Sequence, residues 1–236
     1  MKVSIVVPTY NERENVKQLI PQIFEIFKEN EINGNVIVVD DNSPDGTADA
    51  VKKLQKSYPI ILIERPEKIG LGSAYITGFK KALKNGSDAI FEMDADLSHD
   101  PKEIPNFIKK VNDGFDVVIG SRRTEGGKVI GWGWYRKLIS WGGNFIGKHI
   151  AGINGVDDIT SGYRVYKKDT LKRIDLEEIE SSGYAFQLEM LGKSIKIGAR
   201  IDVIPIIFHN RYSGKSKLSK RETFSFFLTA LKLRLS

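Results

Sequence analysis

The chain has 236 residues, 36 Lys+Arg against 30 Asp+Glu for a net charge of +6, and 41% hydrophobic side chains, enough for one α/β domain with a real core. It contains no cysteine, which excludes disulfides, zinc thiolate sites and thiol nucleophiles and leaves any metal to oxygen or imidazole ligands. The mild positive charge suits an anionic partner without identifying one.

In chain order, KVSIVVPTY reads as a strand and residues 12–27 as a helix; NVIVVDD is a strand followed by helical TADAVKKLQKSY; PIILIER precedes helical SAYITGFKKALKNG; DAIFEMDAD precedes PKEIPNFIKKVNDG; FDVVIGSRR closes the series. β-branched runs alternating with 3.6-period segments predict βαβ crossovers, hence an α/β, Rossmann-like fold whose mostly parallel sheet carries helices on both faces. The rest is less regular: YRKLISWGGNFIGKHIAG is helical, DITSGYRVYKK extended, GYAFQLEMLGKSIKIG helical, RIDVIPIIFHN one strand and RETFSFFLTALKLRL a last helix. No composition break or repeat divides the chain, so residues 1–236 are read as one domain in which 124–236 complete a site begun by 1–123. Met1 leads straight into a strand and no apolar run approaches the ~20 residues a spanning helix needs, so a soluble or surface-bound protein facing the cytoplasm is expected.

Polar groups gather where the predicted strands end: Pro8 to Glu12, Asp40 to Ser43, and Asp94 to Asp96. Strand C-termini of such a sheet converge on one crevice, which should unite Tyr10, Glu12, Asp41, Asp94 and Asp96. An aromatic ring beside carboxylates suits a nucleoside, and Asp-x-Asp suits a hard divalent ion bridging a diphosphate. Alone, Asp-x-Asp fits a solvated turn with Asp100 before Pro101 capping the next helix just as well; repetition at three strand ends favours a ligand. GLGSAYITG matches a dinucleotide loop only in part, because Tyr75 stands at the third glycine position, and a tight turn into a helix is the simpler reading. Arg122, Arg123, Arg136, Lys137 and Arg164 each fit a solvated surface charge taken singly, whereas Arg211, Lys215 and Lys217 around Gly214 make a phosphate cradle. His99, His149 and His209 are scattered, with no G-x-S-x-G elbow, so a hydrolase triad has no support and the histidines read as structural or exposed.

Taken together, VSIVVPTYNERENV, VVDDNSPDGT, MDADLSHDP, VVIGSRR, YRKLIS, DITSGYRVYKK, GYAFQLEM and RYSGKSKL resemble glycosyltransferase family 2, and within it the polyprenyl-phosphate branch of the dolichyl-phosphate mannose synthases. The resemblance spans essentially the whole chain and implies a GT-A fold and metal-dependent, inverting transfer of mannose from GDP-mannose to dolichyl or another polyprenyl phosphate. By motif match, Pro8, Tyr10, Glu12, Val39 and Asp41 would bind the nucleoside, Asp94, Ala95 and Asp96 the ribose, phosphates and Mg or Mn, and Arg211 and Lys217 the diphosphate. Asp96, Arg122 and Arg136 would carry the reaction, the two arginines at the acceptor or donor phosphates. Branch members often have Gln where Ser98 stands, which makes Ser98 the third metal-ligand position and puts the choice of metal in doubt. A sister transferase using UDP-glucose, a nucleotidyltransferase and a non-catalytic nucleotide or lipid-phosphate binding subunit are the rival readings.

A lipid acceptor must be met at the bilayer. Phe224, Phe227, Leu228 and Leu231 fall at i, i+3, i+4, i+7 of the last predicted helix, a stripe that suits either the domain's own core or a membrane surface. Trp132, Trp134 and Trp141 lie beside cations, a composition suited to a lipid interface. The expectation is a peripheral protein on the cytoplasmic face of a membrane, with possible membrane subunits and no nucleic-acid partner.

Overall fold

The computed structural model describes residues 1–209 and 220–235. The elements are β1 (Lys2–Thr9), α1 (Arg13–Glu29), β2 (Asn33–Asp40), α2 (Thr47–Leu54), β3 (Ile60–Glu64), α3 (Leu71–Lys84), β4 (Ala89–Glu92), α4 (Ile104–Asn112), β5 (Val117–Ser121), β6 (Lys128–Ile130), α5 (Trp134–His149), β7 (Arg164–Lys167), α6 (Lys168–Arg173), α7 (Gly183–Lys196), β8 (Ile201–Pro205), β9 (Ile207–His209) and α8 (Lys220–Leu235).

Seven strands form one sheet in the order β3-β2-β1-β4-β7-β5-β8, and β7 alone runs antiparallel to its neighbours. The central strands are buried on both faces, as parallel strands under helices must be. Val3, Ile5 and Val7 of β1 with Val36 and Val38 of β2 face α1, α2 and α4, while Val6, Ile37 and Val39 face α3 and α7. The order reverses between β1 and β4, so their C-terminal ends diverge into the crevice where doubly wound sheets take ligands.

The less regular half departs from its predicted boundaries. RIDVIPIIFHN breaks into two strands around Ile206, whose N–H is held by the Ser121 carbonyl, and β9 then leaves the main sheet to pair with β6. The extended reading of DITSGYRVYKK contracts to the four residues of β7, because the preceding segment folds around the Arg164 side chain. The solvated reading of Arg164 is corrected: it is fully buried and donates to the carbonyls of Ile159, Ser161 and Gln187.

The last helix packs through the side opposite its predicted stripe. Phe226 and Ala230 enter the core, while Phe224, Phe227, Leu228 and Leu231 are exposed, Phe224 to 62%. On α5, Trp134, Leu138, Trp141 and Phe145 follow the same helical spacing and are also exposed, Trp134 to 76%.

Candidate active site

The crevice at the strand ends is a cavity of about 330 Å³, lined among others by Pro8, Tyr10, Glu12, Asp41, Asp94, Ala95, Asp96, Arg122 and Arg136. All five strand-end residues predicted to share a pocket, Tyr10, Glu12, Asp41, Asp94 and Asp96, are therefore brought together. Val39 is not at the cavity wall: its side chain lies in the core, and its carbonyl accepts from the Thr9 hydroxyl. Arg211 and Lys217 lie outside the described residues.

The floor under Tyr10 is built by short polar side chains of DDNSPDGT. Parallel register sets Thr9 beside Asp40, and the Thr9 hydroxyl donates to Asp40 Oδ1 (2.7 Å), which also accepts from Ser43. Ser43 Oγ, Thr47 Oγ1 and Asp45 then accept from the N–H groups of Asn11, Glu12 and Arg13, where β1 turns into α1. These bonds stitch two strand-to-helix turns together and hold Asn11 at φ 61°, a conformation asparagine tolerates. Lys68 lies 3.7 Å over the Tyr10 ring. Asp41 is held by Arg65, which also donates to Ser73 Oγ and the Gly70 carbonyl, tying the second strand end to the start of α3. Gly70 has φ 125°, and a Cβ there would stand 2.8 Å from Ser182 Oγ, so a glycine lets the starts of α3 and α7 close on the cavity.

The Asp-x-Asp turn leaves β4 after Glu92. Asp96 Oδ1 accepts from the Ser98 N–H (3.1 Å), Leu97 sits at φ 61°, and Asp100 caps the next helical turn by accepting from the Lys102 N–H. The cap expected of Asp100 and the ligand role expected of the pair thus occupy different residues of one turn. The Tyr75 hydroxyl donates to Asp94 Oδ1 (3.0 Å), and the Asp94 N–H donates to His99 Nδ1 (3.1 Å). Burial, then the charges of Asp94 and Glu92, push the Tyr75 hydroxyl well above its ordinary range, so it remains a donor. Glu92, fully buried under this turn, is raised to about 7 by desolvation, against the field of Arg164 and a hydrogen bond from Gln187.

At the far wall Arg122 is buried rather than solvated. It makes a forked contact with Asp158 (2.6 Å to each oxygen) and also donates to Thr160. Burial alone would raise the Asp158 carboxyl, yet the charge and hydrogen bonds of Arg122 hold it below the ordinary carboxylate range. Arg122 and Arg136 both lie over the rings of Trp132 and Phe208. A second cavity of about 500 Å³ opens beyond them between α5 and α8, walled by Trp132, Tyr135, Ile139, Ile146 and Phe226, and both arginines line it too.

Sequence reasoning missed Arg65, Tyr75, His99 and Asp158. Arg65 ends a strand and was open to the strand-end argument, whereas Tyr75 was read only as a failed glycine, and nothing local marks Asp158 as the partner of an arginine 36 residues away.

Strand-end carboxylates at the switch point of this sheet share a cleft with two arginines, a nucleotide-binding arrangement of α/β enzymes, and the matches to known proteins make the class a GT-A glycosyltransferase. The fold matches Mycobacterium tuberculosis glucosyl-3-phosphoglycerate synthase, solved with phosphoglyceric acid, at a TM-score of 0.72 and 16% identity over 98% of this chain and 79% of that one. The complex of that enzyme with Mn2+, UDP and phosphoglyceric acid matches at 0.73 and 15%, over 99% and 78%. Residues 4–175 match the model for Glycosyl transferase family 2, and the chain belongs to that family. It is 43% identical to an undecaprenyl-phosphate mannosyltransferase of Micrococcus luteus over 93% of this chain and 88% of the relative. It is 38% identical to a polyprenol monophosphomannose synthase of Mycolicibacterium smegmatis (91% and 80%) and to a dolichol-phosphate mannosyltransferase of Pyrococcus furiosus (96% and 62%).

Proposed function

We propose that this enzyme transfers mannose from GDP-mannose to a polyprenyl phosphate at a membrane surface, with Mg or Mn. The observation that carries the reading is that Arg122 and Arg136 line both cavities, the polar one holding the strand-end carboxylates and the apolar one between α5 and α8. A polyprenyl phosphate is an anion on an apolar chain, and this junction suits both parts: phosphate at the arginines, isoprene units in the groove. The names of the three relatives support the acceptor class and the sugar.

On the donor side, part of the assigned set supports this reading. Tyr10 and Asp41 suit the nucleoside, and Asp94 and Asp96 supply hard oxygens. Ser98 Oγ is buried and makes no hydrogen bond among the described residues, where no group of three or more His, Cys, Asp or Glu gathers. Asp94 and Asp96, with Ser98 beside them in the turn, would hold a Mg or Mn ion. The bound ion would neutralise charge building on the departing diphosphate. A phosphate oxygen of the acceptor attacks the anomeric carbon, the bond from that carbon to GDP breaks, and the configuration inverts. A phosphate monoester, with a second pKa of about 6, is already largely ionised near neutrality, so no side chain need act as general base. The protein's task is positioning and electrostatic stabilisation.

The test is transfer of label from GDP-mannose or UDP-glucose to a short-chain polyprenyl phosphate. GDP-mannose label entering the organic phase, abolished by EDTA and lowered at least about a hundredfold by Asp96→Ala, is expected. Transfer from UDP-glucose alone would overturn the donor, and a pH profile set by one enzyme carboxylate would overturn the mechanism.

A further inference from the structure

We infer that Tyr75 and His99 are positioning residues that fix the first carboxylate of the Asp-x-Asp turn, Tyr75 by its hydroxyl on Asp94 Oδ1 and His99 through the Asp94 N–H. The inference rests on the reading of this cavity as a metal and nucleotide-sugar site and assigns roles to two residues outside its ligand set.

Neither group has latitude. Tyr75 is fully buried on α3, with its ring stacked 5.8 Å from Phe186 at 7° between planes, so packing holds the ring that carries the hydroxyl to Asp94. His99 is buried, stacked 4.8 Å from Tyr163 and edge-on to Phe208. Nδ1 accepts from a backbone donor, which places the ring proton on Nε2. Between the two carboxylates and His99, Leu97 takes a left-handed conformation that a side chain bearing Cβ and Cγ adopts at a cost. Strain of this kind persists only where surrounding contacts over-determine it, and two bonds that span Leu97, from the Asp94 N–H to His99 and from the Ser98 N–H to Asp96, do so. The turn is therefore braced by the chain's own bonds, and the Tyr75 hydroxyl holds Asp94 Oδ1.

The experiment is titration of Mn2+ with GDP by calorimetry, alongside melting temperatures, for wild type, Tyr75→Phe, His99→Ala and His99→Asn. Tyr75→Phe keeps the ring stack and removes only the bond to Asp94. His99→Asn can return an acceptor to the Nδ1 position, whereas His99→Ala cannot. Expected are a roughly tenfold loss of Mn-dependent GDP affinity in Tyr75→Phe and His99→Ala, unchanged metal-free GDP binding, a KM for donor that rises more than kcat falls, and partial recovery in His99→Asn. Variants that keep wild-type melting and Mn-dependent affinity within twofold would overturn the inference while leaving the site reading intact, as would His99→Asn no better than His99→Ala. Wild-type protein with no Mn-dependent GDP binding would overturn the reading and the inference together.

Discussion

The cavity floor and the α5–α8 face break the rule of apolar inside and polar outside in opposite directions. Around the strand ends, Asp41, Arg122, Asp158 and Arg164 are buried charges, and each is answered within the chain by a side chain or a carbonyl. On α5 and α8, Trp134, Trp141, Phe224 and Leu228 are large apolar groups left at the surface. Desolvating a charge costs several kcal/mol unless it is paired, so the first departure had to be solved inside the fold. Exposed apolar surface carries a smaller cost per residue and becomes favourable only against something outside. The difference separates the part of the molecule that must be rigid from the part where the proposed lipid acceptor would be met.

The comparison breaks most visibly at Asp158. Asp158→Asn leaves the Arg122 charge buried beside a neutral amide, and losing one partner of a buried pair costs about 3–5 kcal/mol. A melting point lower by roughly 10 °C is expected for a chain of this length. The double variant Arg122→Met/Asp158→Asn should recover much of that loss, measured by thermal denaturation. A single variant that melts like wild type would show that Arg122 has another counter-charge.

Glu92 sharpens the comparison because its buried carboxyl is shifted the other way from Asp158. Burial raises it to about 7, against Arg164 and the bond from Gln187, so the folded state keeps a proton that the unfolded chain releases near pH 4.5. The stability from that proton is fully present below about pH 4.5 and is lost as pH rises through about 7. Asp158 behaves oppositely: its contribution is present above the ordinary carboxylate range and fades only as pH falls below it. Glu92→Gln should therefore gain on wild type by a few degrees in melting temperature between pH 5 and pH 8, following the per-kcal scaling for chains of this size. Parallel curves would show that Glu92 titrates normally.

Much of the cavity was legible because the same physics writes it locally. β-branched runs end in Pro8, Asp40 and Glu92, and parallel strands bring their ends together whatever the loops do. What sequence withheld were the partners. Asp40 and Ser43 stand in the same strand-end run as Asp41, yet their bonds run to Thr9 and the neighbouring turn. Arg164 looks like any surface cation, because the carbonyls that bury it carry no side-chain signature. The β8–β9 break was hidden for a similar reason: an unbroken apolar run does not record which sheet each half joins.

The α8 stripe shows the limit of periodicity most clearly. Its i, i+3, i+4, i+7 spacing was equally good for a core and for a surface, and only the burial of Phe226 and Ala230 on the other side decides between them. A helix with two apolar faces has one more than its own domain uses. Exposed apolar rows thus stand on both α5 and α8, which also carry Lys137, Lys148, Lys232 and Arg234, with Lys148 paired to Asp157 and Lys232 to Glu180. No helix among the described residues is long and apolar enough to cross a membrane. If the proposed lipid acceptor is met at a bilayer, these exposed aromatics are the groups that would touch it. Trp141→Glu together with Phe227→Glu should lower binding to anionic vesicles about tenfold or more, as the loss of two buried aromatic anchors requires. Both positions are exposed, so the melting temperature and turnover of a short, water-soluble polyprenyl phosphate should stay close to wild type. Co-sedimentation measures the first and the label-transfer assay the second. Unchanged vesicle binding would assign the exposed aromatics to another occupant, and loss of soluble turnover would mean that the face shapes the groove itself.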